Sequence, residues 1–83
     1  MLNLLLLAEK QERVMKSVVG RFDGSDKGIV TRAEFERALN AEDIDQEERD
    51  DIKARAYARW DKDGGITKGE LREMAATWSE MFD

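Results

Sequence analysis

The residues Arg21-Phe22-Asp23, Gly28-Ile29-Val30-Thr31 and Glu34-Phe35 return 36 to 38 positions later as Arg59-Trp60-Asp61, Gly65-Ile66-Thr67 and Glu70-Leu71, making the chain an imperfect tandem repeat. Each copy sets an aromatic before an Asp, then a Gly turn, a β-branched residue, a Thr, and a Glu that opens an amphipathic run. One helix pair cannot bury its apolar stripe alone, so the two copies are expected to pack on each other. The expected fold is all-α. Four helices form two paired helix-loop-helix units with a short bridge between the loops. They make one domain over residues 1–83, with unit one at about 4–40 and unit two at about 45–82.

The absence of proline and the 40% of charged residues favour helices punctuated at the glycines. The first helix is predicted over roughly 4–21. There Leu4, Leu7, Ala8, Gln11, Met15, Val18, Val19 and Phe22 fall on one stripe, broken only by Gln11, with Val14 beside it. Thr31-Arg32-Ala33-Glu34 has the form of a capping box, in which hydroxyl and carboxylate satisfy first-turn N–H groups reciprocally. A second helix should therefore start there and run to about Asn40, burying Phe35, Ala38 and Leu39. Asp45 can cap a third helix that runs to about Trp60, with Ile52, Ala56, Tyr57 and Trp60 inward. Thr67-Lys68-Gly69-Glu70 repeats the capping box and opens a fourth, whose inner face is Leu71, Met74, Ala75, Trp78 and Met81 or Phe82. Val30 and Ile66 hold the equivalent β-branched position in the two copies and are expected to pair as the bridge.

With no cysteine and no histidine, the chain has no disulfide, no thiol nucleophile, no Ser-His or Cys-His pair and no usual zinc site. Only oxygen donors remain as metal ligands, which suits a hard cation. The formal charge is −5 without a dense basic stretch, so direct nucleic-acid binding is disfavoured. The opening Met1-Leu2-Asn3-Leu4-Leu5-Leu6-Leu7-Ala8 lacks a basic leader and turns charged at Glu9-Lys10. It is too short to span a bilayer. A cytoplasmic protein whose mature chain includes this segment is expected.

A 12-residue calcium loop needs side-chain oxygens at its first, third and fifth positions and Gly at the sixth. A carbonyl serves at the seventh, and a bidentate Glu at the twelfth. With Asp23 first, Ser25 falls third, Lys27 fifth, Gly28 sixth, the Ile29 carbonyl seventh, Thr31 ninth and Glu34 twelfth. In this spacing, flanked by Phe22 and Phe35, the chain resembles the EF-hand calcium-binding family as a degenerate tandem pair, and the match covers nearly its whole length. The resemblance implies calcium as the bound ion. The implied ligands are Asp23, Ser25, Ile29, Thr31 and Glu34 in loop one, and Asp61, Asp63, Gly65, Thr67 and Glu70 in loop two. Two departures weaken these sites. Lys27 stands where an oxygen donor belongs, and an ammonium has no lone pair to give. Loop two reads as the family loop with its fifth and seventh positions deleted. Any calcium affinity is expected to be weak, on the order of 10⁻⁴ M or worse.

Other surfaces suggest partners. With Leu4 and Leu7 inward, Leu2, Leu5 and Leu6 lie around the other sides of the first helix, where a protein partner or self-association would cover them; a membrane is disfavoured because few basic residues adjoin them. Glu42, Asp43, Asp45, Glu47, Glu48, Asp50 and Asp51 crowd ten positions and offer an acidic face to a basic partner. Met15, Met74 and Met81 with Trp78 either fill the core or line an adaptable groove. The expected function is a small calcium-binding sensor, buffer or interaction module acting through an apolar surface. The alternative is a metal-free scaffold that acts as an acidic interaction module or inhibitor. An enzyme is disfavoured, since most carboxylates are assigned to loops and caps.

Overall fold

The computed structural model describes residues 4–24, 28–60 and 65–81, excluding the side chains of Leu4, Leu5 and Met81. Its elements, in chain order, are α1 (Leu4–Phe22), β1 (Ile29–Val30), α2 (Arg32–Asn40), α3 (Gln46–Ala58), β2 (Ile66–Thr67), α4 (Lys68–Ala76) and a closing 3₁₀ turn (Trp78–Met81). Four α-helices in two helix-loop-helix units, as the repeat predicts, make up the described fold.

The helix starts arise from local chemistry. Thr31 Oγ1 accepts the Glu34 N–H at 3.2 Å while Glu34 Oε1 accepts the Thr31 N–H at 3.0 Å. Thr67 and Glu70 reproduce the exchange at 3.0 and 2.9 Å. Asp45 Oδ1 accepts the Glu48 N–H at 2.8 Å and starts α3, with Glu47 and Glu48 at the positive end of the helix dipole.

The expected bridge forms. β1 and β2 pair antiparallel, Val30 opposite Ile66 and Ile29 opposite Thr67. Val30 and Ile66 are buried beneath it, and the Lys68 N–H donates to the Gly28 carbonyl at 3.0 Å. Gly65 leads into β2 at φ +144°, where a Cβ would lie 2.5 Å from the Val30 carbonyl oxygen. The backbones of the two loops approach this closely because residue 65 has no side chain.

Two helix ends differ from expectation. α3 stops at Ala58 rather than near Trp60, because its last N–H groups tighten: Arg59 donates to Ala56 O and Trp60 to Tyr57 O, both at 3.1 Å. α4 stops at Ala76 instead of continuing to residue 81 or 82. Thr77 turns both its hydroxyl and its N–H onto the Glu73 carbonyl at 3.0 Å, and its φ of −106° leaves the helical region. The chain then tightens into the 3₁₀ turn, which carries Trp78 into the core. The expectation for Phe82 lies outside the described residues.

α1 packs chiefly on α4 and the closing turn, and then on α2. Met15, Val18, Val30, Phe35, Leu39, Ile52, Leu71 and Trp78 are fully buried in one shared core. Phe35 meets Tyr57 and Trp60 edge-on at 6.0 and 5.4 Å, locking α2 to the end of α3. Of the thirteen residues of α3, only Ile52 and Ala56 are fully buried, so this helix adheres by a narrow stripe. No helix among the described residues is long and apolar enough to cross a membrane.

The bridge makes Gly65 and Gly20 a matched test. Gly65→Ala imposes a positive φ on an L-residue and a clash with β1, and should cost about 2 kcal/mol or more. Gly20→Ala, at a helical site with nothing within 4 Å of the new Cβ, should stabilise by about 0.5–1 kcal/mol. Urea denaturation of both variants, read by far-ultraviolet circular dichroism, measures the difference.

Candidate functional site

The loop residues are distributed between local jobs. Asp23 Oδ1 accepts from Arg72 Nη2 of α4 at 3.2 Å, and both side chains are more than half exposed. Thr31 and Thr67 are helix caps, and Glu34 and Glu70 close the two capping boxes. Ile29 lies in the bridge with its side chain exposed, and Gly65 serves the close approach of the strands. Lys68 Nζ reaches the Phe22 carbonyl at 3.3 Å, so an ammonium rests against the negative end of α1. The calls on Ser25, Lys27, Asp61 and Asp63 lie outside the described residues.

The described loop carboxylates are engaged locally. Asp23 faces a guanidinium, and the Glu34 and Glu70 carboxylates each accept from a backbone N–H of their own cap. Among the described residues no group of three or more carboxylates is placed to hold a metal ion. Both Thr-x-x-Glu pairs serve helix initiation.

A second site lies where α3 stands off from the N-terminal half of α1. The cleft between them has a volume of about 720 Å³. Leu7, Lys10 and Gln11 form one wall; the cap Asp45 and the α3 residues Glu47, Glu48, Asp50, Asp51 and Arg55 form the other. Five carboxylates and Arg55 therefore face Lys10, Gln11 and Leu7. The acidic run noted in the sequence becomes a cleft wall because α3 turns its Ile52 and Ala56 stripe to the core and this face toward α1. Glu42 is excluded from the cleft; its Oε2 accepts from Ser17 Oγ and Arg21 Nε, both at 2.9 Å.

Gln11 crosses between core and cleft. It is 1% exposed; its Oε1 accepts the Trp78 indole N–H at 3.1 Å and its Nε2 donates to Asp51 Oδ2 at 2.8 Å. Arg55 Nε donates to the same Asp51 oxygen at 3.1 Å. Burial pushes the Asp51 carboxyl up, but the Gln11 and Arg55 hydrogen bonds and the Arg55 charge together hold it below its ordinary value. Glu48 is the most enclosed acid of this wall. Its side chain is 9% exposed, Oε2 lies 3.2 Å from Lys10 Nζ, and Oε1 is sealed from solvent without a hydrogen-bond donor. Away from the cleft, burial and the Tyr57 hydrogen bond to Glu36 at 2.6 Å raise the Tyr57 phenol far above its usual pKa, keeping it neutral.

Of the two readings of the methionines, core filling holds for the side chains described, and that of Met81 lies outside them. Met15, Met74 and Trp78 are core residues. Leu6 is 62% exposed, as the helix pattern implies, and Leu7 is half-buried at the cleft rather than in the core. Gln11 and Glu48 are the site residues that the sequence did not single out as such. The signal for Gln11 was present, as the lone polar residue on an apolar stripe; Glu48 carried none, being one acid in a run of acids.

No protein-family model, characterised protein or solved structure matches this chain. The cleft and the loops must be judged on their own chemistry.

The Gln11 connection has two measurable consequences. Gln11→Leu keeps the volume but leaves the Trp78 N–H without its acceptor, and should cost about 1–3 kcal/mol in a denaturant melt. Because its folded pKa is depressed, Asp51 contributes stability above its unfolded pKa, and that contribution is lost as pH falls through the folded value. Carboxyl-detected NMR titration should find Asp51 below 3.8, and Asp51→Asn should flatten the acid limb of the stability curve there.

Proposed function

We propose that this chain is a non-enzymatic, metal-independent interaction module, which receives a basic segment of a partner protein in the acidic cleft between α1 and α3. The cleft itself carries this reading: five carboxylates beside Leu7, one of them nine-tenths buried with an oxygen lacking a donor. A carboxylate sealed in that way bears a desolvation cost that an incoming cationic donor relieves. Complementary charge would also steer a basic partner to the site and reject acidic ones. Working in the cytoplasm, as its cysteine-free composition suits, such a module would cover the basic face of another protein.

Titration of the full chain with a synthetic helical peptide bearing arginines along one apolar face tests the reading. Binding should persist in chelator and weaken at least about fivefold between roughly 0.05 and 0.3 M salt. Failure of the peptide to bind, or binding that requires calcium, would remove it.

Weak calcium binding in the loops is the second reading. Its support is the antiparallel bridge, which holds the two loops side by side, and the Asp-x-Asp-Gly start and Glu end of loop two. Occupancy would turn onto the ion the Glu34 and Glu70 carboxylates, whose Oε1 atoms accept the cap N–H groups. Calcium titration with tryptophan fluorescence, and melts in excess calcium and in chelator, decide it. A saturable change with a raised Tm would establish this second reading; the interaction-module reading expects neither up to about 1 mM calcium.

A further inference from the structure

We infer that Lys10 is an internal occupant of the α1/α3 cleft, holding the place of a partner's arginine guanidinium until that group displaces it. This inference rests on the interaction-module reading and specifies the group that is recognised. Lys10 Nζ lies 3.2 Å from Glu48 Oε2, while Glu48 Oε1 is sealed from solvent and has no donor. An ammonium is a compact point charge on a flexible stem, and here it serves one of the two carboxylate oxygens. A guanidinium offers parallel N–H groups in a planar fork that matches both oxygens of a carboxylate. Glu48 is therefore half-satisfied by its own chain in a way that an arginine completes.

The surroundings permit the exchange. The Lys10 side chain is 62% exposed, so its ion pair is weak and the side chain can swing into water. Asp51, one turn after Glu48 on the same face of α3, adds a second carboxylate, and its contact with Arg55 at 3.1 Å places a guanidinium within this wall already. Leu7, one turn before Lys10 on α1, supplies an apolar wall for the methylene stem of the entering residue. Among the described residues no group of three or more acids is placed to hold a metal ion, while a guanidinium fork matches the two oxygens of one carboxylate. The partner is thus a basic segment with an arginine beside apolar residues, and Lys10 sets a threshold against weaker cations.

Three peptides identical except for a central arginine, lysine or citrulline, titrated by calorimetry into the full chain, test this. Lys10→Met keeps the aliphatic stem and removes the internal cation, and should tighten the arginine peptide about fivefold or more. Lys16→Met makes the same charge change on α1 outside the cleft and should alter affinity by less than about twofold. Glu48→Gln should weaken the arginine peptide about tenfold and erase its advantage over lysine, with circular dichroism confirming that the variant remains helical. Equal binding of the arginine and lysine peptides to the native chain, or a Lys10→Met effect no larger than that of Lys16→Met, overturns the inference while leaving the interaction module in place. No binding of any peptide to the native chain or to Lys10→Met overturns both.

Discussion

The hydrogen bond from the Trp78 indole to Gln11 joins residues 67 positions apart and ties the last described turn of the chain to the middle of its first helix. Around it the two copies of the repeat become one core. Trp78 and Met15 are completely buried on either side, and the other end of Gln11 fastens Asp51 on α3. An amide is suited to this position because it accepts from the indole and donates to the carboxylate at once. A purely apolar stripe on α1 would bury as much surface but would leave the indole N–H unsatisfied and α3 without the Gln11–Asp51 tether. The departure of α4 from helical geometry at Thr77 belongs to the same arrangement, since it delivers the indole to Gln11.

Helix initiation and ion binding compete for the same side chains in the loops. Thr and Glu three positions apart serve equally well as a capping box and as the end of a calcium loop, and in this chain both pairs are capping boxes. The cap is local and needs no third partner, whereas an ion cage needs several oxygens brought together against their mutual repulsion. The backbone bridge between Val30 and Ile66 then sets the spacing of the two units through hydrogen bonds and buried β-branched side chains, with Gly65 permitting the close approach.

The cleft results from uneven packing. α1 directs its apolar stripe to α4 and the closing turn, and α3 attaches through few buried residues and the aromatic cluster at its end. The space left between α1 and the acidic face of α3 is crossed by the Lys10–Glu48 ion pair and by the Gln11–Asp51 hydrogen bond. Like charges crowded on one wall are partly relieved by Lys10 and Arg55, but Glu48 retains an oxygen without a donor. An unpaired carboxylate oxygen enclosed in that way is costly to the fold.

Much of the fold could be read from residues that act locally. The capping signals of Thr31, Asp45 and Thr67, the apolar stripe of α1 and the equivalence of Val30 and Ile66 set the helix starts, the inward faces and the bridge, because each depends on neighbours within one turn or on the repeat itself. Several other features depended on partners distant in sequence. Pattern alone could not tell that Asp23 would turn to Arg72 or that Thr77 would end α4. Nor could it mark Glu48 out from its acidic neighbours, since burial of that one carboxylate follows from how α3 leans on α1. The sequence by itself determined the helical repeat and its inward faces, through short-range hydrogen bonding and periodicity. Only the tertiary structure decided which carboxylates line a cleft, because that depends on the packing of helices joined across the whole chain.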